Sequence, residues 1–195
     1  MFGATIIAAS MILVSCGGGD DEMESQGALV DSVDPAQTAV LIADQFDQAL
    51  RALNDRYQFT TTLDVNGTVV SQIVGRNIDG NTTSTATVTS NTIDVVNVGT
   101  EFWTRAGSGE WAPAADAPEG QDPLASLLAV TEVTFFEDVL TITYPGAALG
   151  FDVDWVSAEV TVLGPSVELV AVMEGLTART TLTPAGDLST ITVPA

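Results

Sequence analysis

From Tyr57 onward, apolar and polar side chains alternate residue by residue, a period of two that extended strands satisfy and helices do not. Tyr57, Phe59, Thr61, Leu63 and Val65 fall on one side of such a strand, and Gln58, Thr60, Thr62 and Asp64 on the other. Asn66-Gly67 follows, a dipeptide suited to a two-residue hairpin turn because both positions accept positive φ. A second strand is expected over 68–76, a turn at Asp79-Gly80-Asn81, a Thr-rich strand over 82–90, and further strands over 93–98 and 101–105. Short turns between successive strands imply an antiparallel meander.

The alternation resumes over 133–136, 140–145, 153–162, 167–173, 176–182 and 188–193, with Pro184-Ala185-Gly186-Asp187 read as the last hairpin turn. Two stretches depart from it. At Asp34 a helix cap is followed by Pro35 in the first turn and Gln37 in the capping-box position. Ala39, Ile42, Ala43, Phe46, Ala49, Leu50 and Leu53 then recur at spacings of three and four, giving an amphipathic helix of about 20 residues. Asp122-Pro123 repeats the start signal, and Leu124, Leu127 and Leu128 predict a short second helix. Residues 112–121, rich in Ala, Pro, Gly and acid, read as a connection.

Ahead of this domain lies a different kind of segment. Residues 2–14 carry no charge and end at Leu13-Val14-Ser15-Cys16, which contains the chain's one cysteine. A membrane-spanning helix needs about 18–20 apolar residues, so the run is too short to span and has the proportions of an export signal. No Lys or Arg opens it, a departure from the usual signal. Gly17-Gly18-Gly19 and Asp20-Asp21-Glu22-Met23-Glu24 follow, flexible and then strongly charged, the composition of a solvated tether. Fully extended, residues 17–33 reach about 55 Å.

Five basic residues, all arginine, stand against 26 acidic ones, for a formal charge of −21. Such a surface repels phosphate backbones and anionic headgroups, which argues against nucleic-acid binding. The absence of histidine removes Ser-His and Cys-His catalytic pairs and His-based zinc sites, and one cysteine allows no disulfide within the chain. Asp152-Val153-Asp154 sets two carboxylates on one side of a strand without a third ligand or base. Gly107-Ser108-Gly109 lacks the glycine spacing of a nucleophile elbow. Asn66-Gly67-Thr68 and Asn81-Thr82-Thr83 read as turn residues, and Trp103 and Trp111 as packing across a hairpin. No enzyme activity, cofactor or metal is expected.

Leu13, Val14, Ser15 and Cys16 match in order the lipobox of bacterial lipoproteins, which implies cleavage between Ser15 and Cys16 and a diacylglyceryl group on the Cys16 thiol. The order of elements downstream resembles the half-barrel lipoproteins of the LppX and LprG kind, and more distantly the LolA and LolB carriers. The likeness rests on the helix leading into Tyr57-Gln58-Phe59, on Glu101-Phe102-Trp103-Thr104-Arg105 answered by Trp111, and on Asp122-Pro123-Leu124.

The resemblance implies an α+β fold, a strongly curved antiparallel sheet (half-barrel) of about 10–11 strands wrapped around a long N-terminal helix and a short second helix. It divides the chain into a signal (1–15), a lipidated acidic tether (16–33) and one domain (34–195). It also implies carriage of a lipid or acylated ligand in an apolar pocket between sheet and helices, with Phe46, Leu50, Leu53, Phe59, Leu63, Phe102, Leu124 and Leu127 as the candidate lining. The alternative is a closed domain acting as scaffold, sensor or complex subunit through an envelope protein partner. Either way the expected place is the outer face of the cytoplasmic membrane, or the outer membrane of a host that has one, held there by the anchor at Cys16.

Overall fold

A computed structural model describes residues 35–115, 124, 132–136, 139–145 and 153–195. Its elements are α1 (Pro35–Leu53), β1 (Arg56–Val65), β2 (Thr68–Ile78), β3 (Asn81–Val88), β4 (Asn91–Val98), β5 (Glu101–Ala106), β6 (Ala112–Ala114), β7 (Glu132–Phe136), β8 (Val139–Pro145), β9 (Trp155–Leu163), β10 (Ser166–Met173) and β11 (Leu176–Pro184). The helix buries Phe46, Ala49 and Leu53, three or four residues apart, and keeps the Arg51–Asp47 ion pair in solvent. Asn54 and Asp55 then adopt φ of 31° and 57°, left-handed values that end the helix and swing the chain into β1.

All eleven strands join one antiparallel sheet in the order β6-β5-β4-β3-β2-β1-β11-β10-β9-β8-β7. Two meanders, β1–β6 and β7–β11, are therefore joined along one seam, where β1 pairs with β11 and Phe59 stands opposite Leu182. The turns follow from local chemistry. Asn66 (φ 51°) and Gly67 (φ 83°) form the first hairpin turn, and the Gly67 amide donates to the Asp64 carboxylate at 2.7 Å. Asp79 and Gly80 form the second in the same way, with the Gly80 amide donating to the Asn77 side-chain oxygen.

Residues two apart share a face, so the register assigns the strand side chains to two surfaces. One carries Tyr57, Phe59, Leu140, Ile142, Val156, Ala158, Val160, Val167, Leu169, Ala171, Ala178 and Leu182, which form the main core with Phe46, Ala49, Leu53 and Leu124. This is the helix face, and α1 packs there against β8, β9, β10 and β11. The opposite surface is here called the open face. It is threonine-rich, and its apolar part is a smaller cluster of Ile78, Val96 and Ile191, flanked by Val98, Trp103, Trp111 and Ala185.

The expected half-barrel wrapped around two helices does not form. Among the described residues the sheet is open, with β6 and β7 as its two edges, and α1, a helix of 19 residues, packs against four of the eleven strands. At about 4.8 Å per strand and a helix width of about 10 Å, one helix cannot be the axis of so broad a sheet. The expected second helix lies, Leu124 apart, outside the described residues.

Two smaller corrections concern the ends of the meanders. Residues 112–114, read as connection, form β6 against β5, with Pro113 opposite Trp103. Proline is tolerated there because β6 is an edge strand and needs no further donor. Residues 188–193, read as a strand, form none. Both sides of β11 are already occupied, by β1 and β10, so no hairpin partner can add to it. The chain crosses the open face instead. The Asp187 carboxylate accepts from the Ser189 amide and hydroxyl, each at 2.9 Å, and Ile191 is buried in the smaller cluster. Among the described residues no helix is long and apolar enough to cross a membrane.

Candidate binding site

Of the residues expected to line an apolar pocket, six are brought together in one packed cluster or against it. Leu53 is fully buried, Phe59 is 2 % exposed, and Phe46 and Leu124 belong to the same packed cluster, with Leu50 and Leu63 half-buried against it. Phe102 is half-buried on β5, on the helix face but outside that cluster. Ser15, Cys16 and Leu127 lie outside the described residues.

A recess of about 530 Å³ opens on the other side of the sheet, over β11, β1, β2 and β3. Its lining is Gln58, Thr60, Val74, Arg76, Thr83, Thr85, Thr181 and Thr183 from the open face, with Phe59, Gly75 and Ser84 between them on the same strands. Side-chain length explains the hollow. One cross-strand row reads Glu168, Thr181, Thr60, Val74, Thr85, Asp94, Arg105, so four short uncharged side chains on adjacent strands are flanked by charged ones. The row on one side of it brings Arg179 and Gln72 alongside Thr62, and the row on the other places Gln58 beside Arg76. The result is a trough open to solvent and walled by polar residues.

Gly75 sits under the trough. The Phe59 ring crosses from β1 onto Gly75 on the helix face, so that a Cβ added at Gly75 would lie 2.5 Å from Phe59 Cζ, 2.7 Å from the Thr83 carbonyl oxygen and 2.8 Å from Ser84 Cβ. Only glycine permits this approach. The trough floor and the core ceiling are thus one closely packed layer.

The walls are electrically balanced. Arg76 Nη1 donates to the Asp187 carboxylate at 2.5 Å and to the Asp187 carbonyl oxygen at 3.3 Å, which ties the C-terminal segment to the rim. Asp187 is held below the usual carboxylate range, first by the Ser189 amide and hydroxyl and less by Arg76. Arg105 donates to Asp94 at 2.6 and 3.0 Å and lies over the Trp111 ring at 4.6 Å. Asp94 is likewise depressed, chiefly by the Thr85 hydroxyl at 2.7 Å and then by Arg105, against the opposing effect of partial burial. Arg179 pairs with Glu168, Arg56 with Asp79 and Arg51 with Asp47, so all five arginines are spent on carboxylates.

The hydroxyls are not spent in that way. Those of Thr60, Thr83, Thr181 and Thr183 make no hydrogen bond to another described side chain, in contrast to Thr61, whose hydroxyl pairs with Thr180 on the helix face at 3.0 Å. Two buried polar atoms also lack a partner among the described residues, the Asn97 side-chain oxygen on the helix face and Trp103 Nε1 on the open face. No group of three or more carboxylates or thiols is arranged to hold a metal among the described residues.

Sequence reasoning did not single out the trough. The signal was present, since the polar positions of the alternation are mostly threonine rather than charge. What it lacked was the pairing of β1 with β11, which sets Thr181 beside Thr60 across more than half the chain. No protein-family model matches this chain, and no curated protein does.

Proposed function

We propose that this protein is a membrane-anchored, non-enzymatic envelope lipoprotein, held by a lipidated Cys16 and acting as a binding scaffold through the open face of its sheet. One observation carries the choice of scaffold over lipid carrier. Six of the eight side chains expected to hold acyl chains, Phe46, Leu50, Leu53, Phe59, Leu63 and Leu124, pack in or against one cluster on the helix face, whereas the opposite face offers an open trough with uncommitted hydroxyls. Burial of their apolar area, at about 25 cal/mol per Å², stabilises that core. The lipobox supports the anchor, and a tether of acidic residues would hold so negative a domain clear of anionic headgroups.

The test is site-directed photocrosslinking in cells, with p-benzoylphenylalanine replacing Thr83 in the trough or Val40 on the exposed side of α1. A specific adduct is expected from position 83 and not from position 40. Adducts from position 40 alone, or from neither, overturn the scaffold reading. Native mass spectrometry of the purified chain adds a second arm, because a copurifying lipid of defined mass would restore the carrier reading.

A further inference from the structure

We infer that the trough over β11, β1, β2 and β3 is a binding site for a neutral polyhydroxylated ligand, a segment of uncharged polysaccharide. This inference deepens the scaffold reading and rests on it. Three observations lead to it.

The first is the chemistry of the lining. A threonine hydroxyl both donates and accepts, as a sugar hydroxyl does, whereas a carboxylate only accepts and a guanidinium only donates. Thr60, Thr83, Thr181 and Thr183 offer four such groups without another side-chain partner, the Gln58 amide adds a donor and an acceptor, and Thr85 keeps acceptor capacity after donating to Asp94. Val74 supplies an apolar patch in their midst for the C–H face of a ring. A few placed polar groups around an apolar centre are the usual means of orienting a small ligand.

The second is charge. Arg76 is the one charged side chain in the lining, and Asp187 cancels it at 2.5 Å. With all five arginines paired and a formal charge of −21, a polyanionic glycan or a nucleic acid would meet repulsion that nothing in the trough offsets. A neutral ligand meets none.

The third is shape. At about 530 Å³ the trough lies within the roughly 300–1,000 Å³ range of ordinary ligand sites, yet it is open rather than enclosed. An extended polymer can cross an open trough with both ends in solvent, which a closed pocket forbids. The row of short side chains runs across the strands, from Thr181 through Thr60 and Val74 to Thr85, and sets the direction of the polymer.

The experiment uses the full chain purified from membranes in neutral detergent. It is offered oligosaccharides of several sugar units, α- and β-linked neutral glucans, mannans and galactans, with a polyuronate and a sulfated glycan as comparators, first on an array and then by titration calorimetry. Binding of at least one neutral oligosaccharide is expected. It should weaken tenfold or more in the isosteric Thr60→Val/Thr181→Val double variant and remain unchanged in Thr141→Val, which lies on the same face outside the trough. If the double variant fails to fold, Thr83→Val provides the same comparison from another strand.

The inference is overturned if no neutral glycan binds at millimolar concentration, if the anionic comparators bind better, or if the valine variants bind as well as the parent. A blank array with a protein adduct from position 83 removes the glycan and leaves the scaffold. A blank array with no adduct removes both.

Discussion

Replacing Gly75 with alanine isolates the contact on which the layered structure depends. The added Cβ would meet three atoms closer than 3.0 Å, of which only Phe59 Cζ is the far end of a side chain. The Thr83 carbonyl oxygen and Ser84 Cβ belong to the neighbouring strand, so relief requires β3 to move away from β2. Overpacking of this kind costs about 1–3 kcal/mol. Loss of the glycine's freedom in the unfolded chain offsets about 0.4–1 kcal/mol of that. The difference spans about 0–2.6 kcal/mol with a centre near 1.3 kcal/mol, which at about 2–4 °C per kcal/mol lowers Tm by roughly 3–5 °C for a domain of this size. Urea and thermal unfolding followed by circular dichroism measure it, and a Gly75→Ala midpoint at or above the parent's refutes the packing argument. Combining Gly75→Ala with Phe59→Leu separates the two obstacles. If the ring dominates, the pair falls short of additivity by about 0.5 kcal/mol or more. If the β3 backbone dominates, the effects add.

The remaining predictions concern the cover, the charges and the anchor. Ile191→Ala should destabilise the domain by about 2 kcal/mol, the low end for a buried isoleucine because its cluster is small, and should red-shift the emission of Trp103 and Trp111 before global unfolding. Asp94 titrates lower when folded than its ordinary value of 3.8, so its contribution to stability is present above that value and is lost as pH falls through the folded pKa. Thr85→Val removes the main cause, so acid unfolding monitored below about pH 5 should begin at higher pH than in the parent. Cys16→Ala should move the protein from the membrane to the soluble fraction and abolish incorporation of labelled palmitate, and retention at the membrane would refute the anchor.

Much of the local structure was legible because strands and tight turns are set by near neighbours. Asn66-Gly67 and Asp79-Gly80 specify positive φ at consecutive positions, and the alternation from Tyr57 to Val65 specifies which side chains point inward. The C-terminal stretch shows where such reasoning stops. Leu188, Ile191 and Val193 carry the apolar and, at the last two, β-branched character of a strand, yet a strand requires a free neighbour, and β11 has none. The expected curved wrap fails for a related reason. An amphipathic helix followed by many strands has the same local signals whether the sheet encloses the helix or lies open beneath it, and only long-range pairing distinguishes the two. The trough was invisible for that reason too, since its four central residues come from strands that the sequence separates by as much as the distance from Thr60 to Thr181.

The covers on the two faces account for where binding is possible. A broad sheet with apolar residues on both sides must be covered on both, and here the covers are offset. α1 lies on the helix face of β8 to β11, and the segment after Pro184 lies over Ile78, Val96 and Trp103 on the open face of β2, β4 and β5. Over β1 and β11 the main core still presses from beneath through Phe59 and Leu182, so the strands there are supported from one side only and their open face requires no cover. Threonine is the residue that such a position selects, β-branched enough to hold a strand and polar enough to meet water. The trough is therefore where the fold places a solvent-facing strip, on central strands that the core supports from the helix face. Arg76 and Asp187 fix its edge by joining β2 to the start of the C-terminal cover, so a ligand in the trough and the seating of that cover share a boundary.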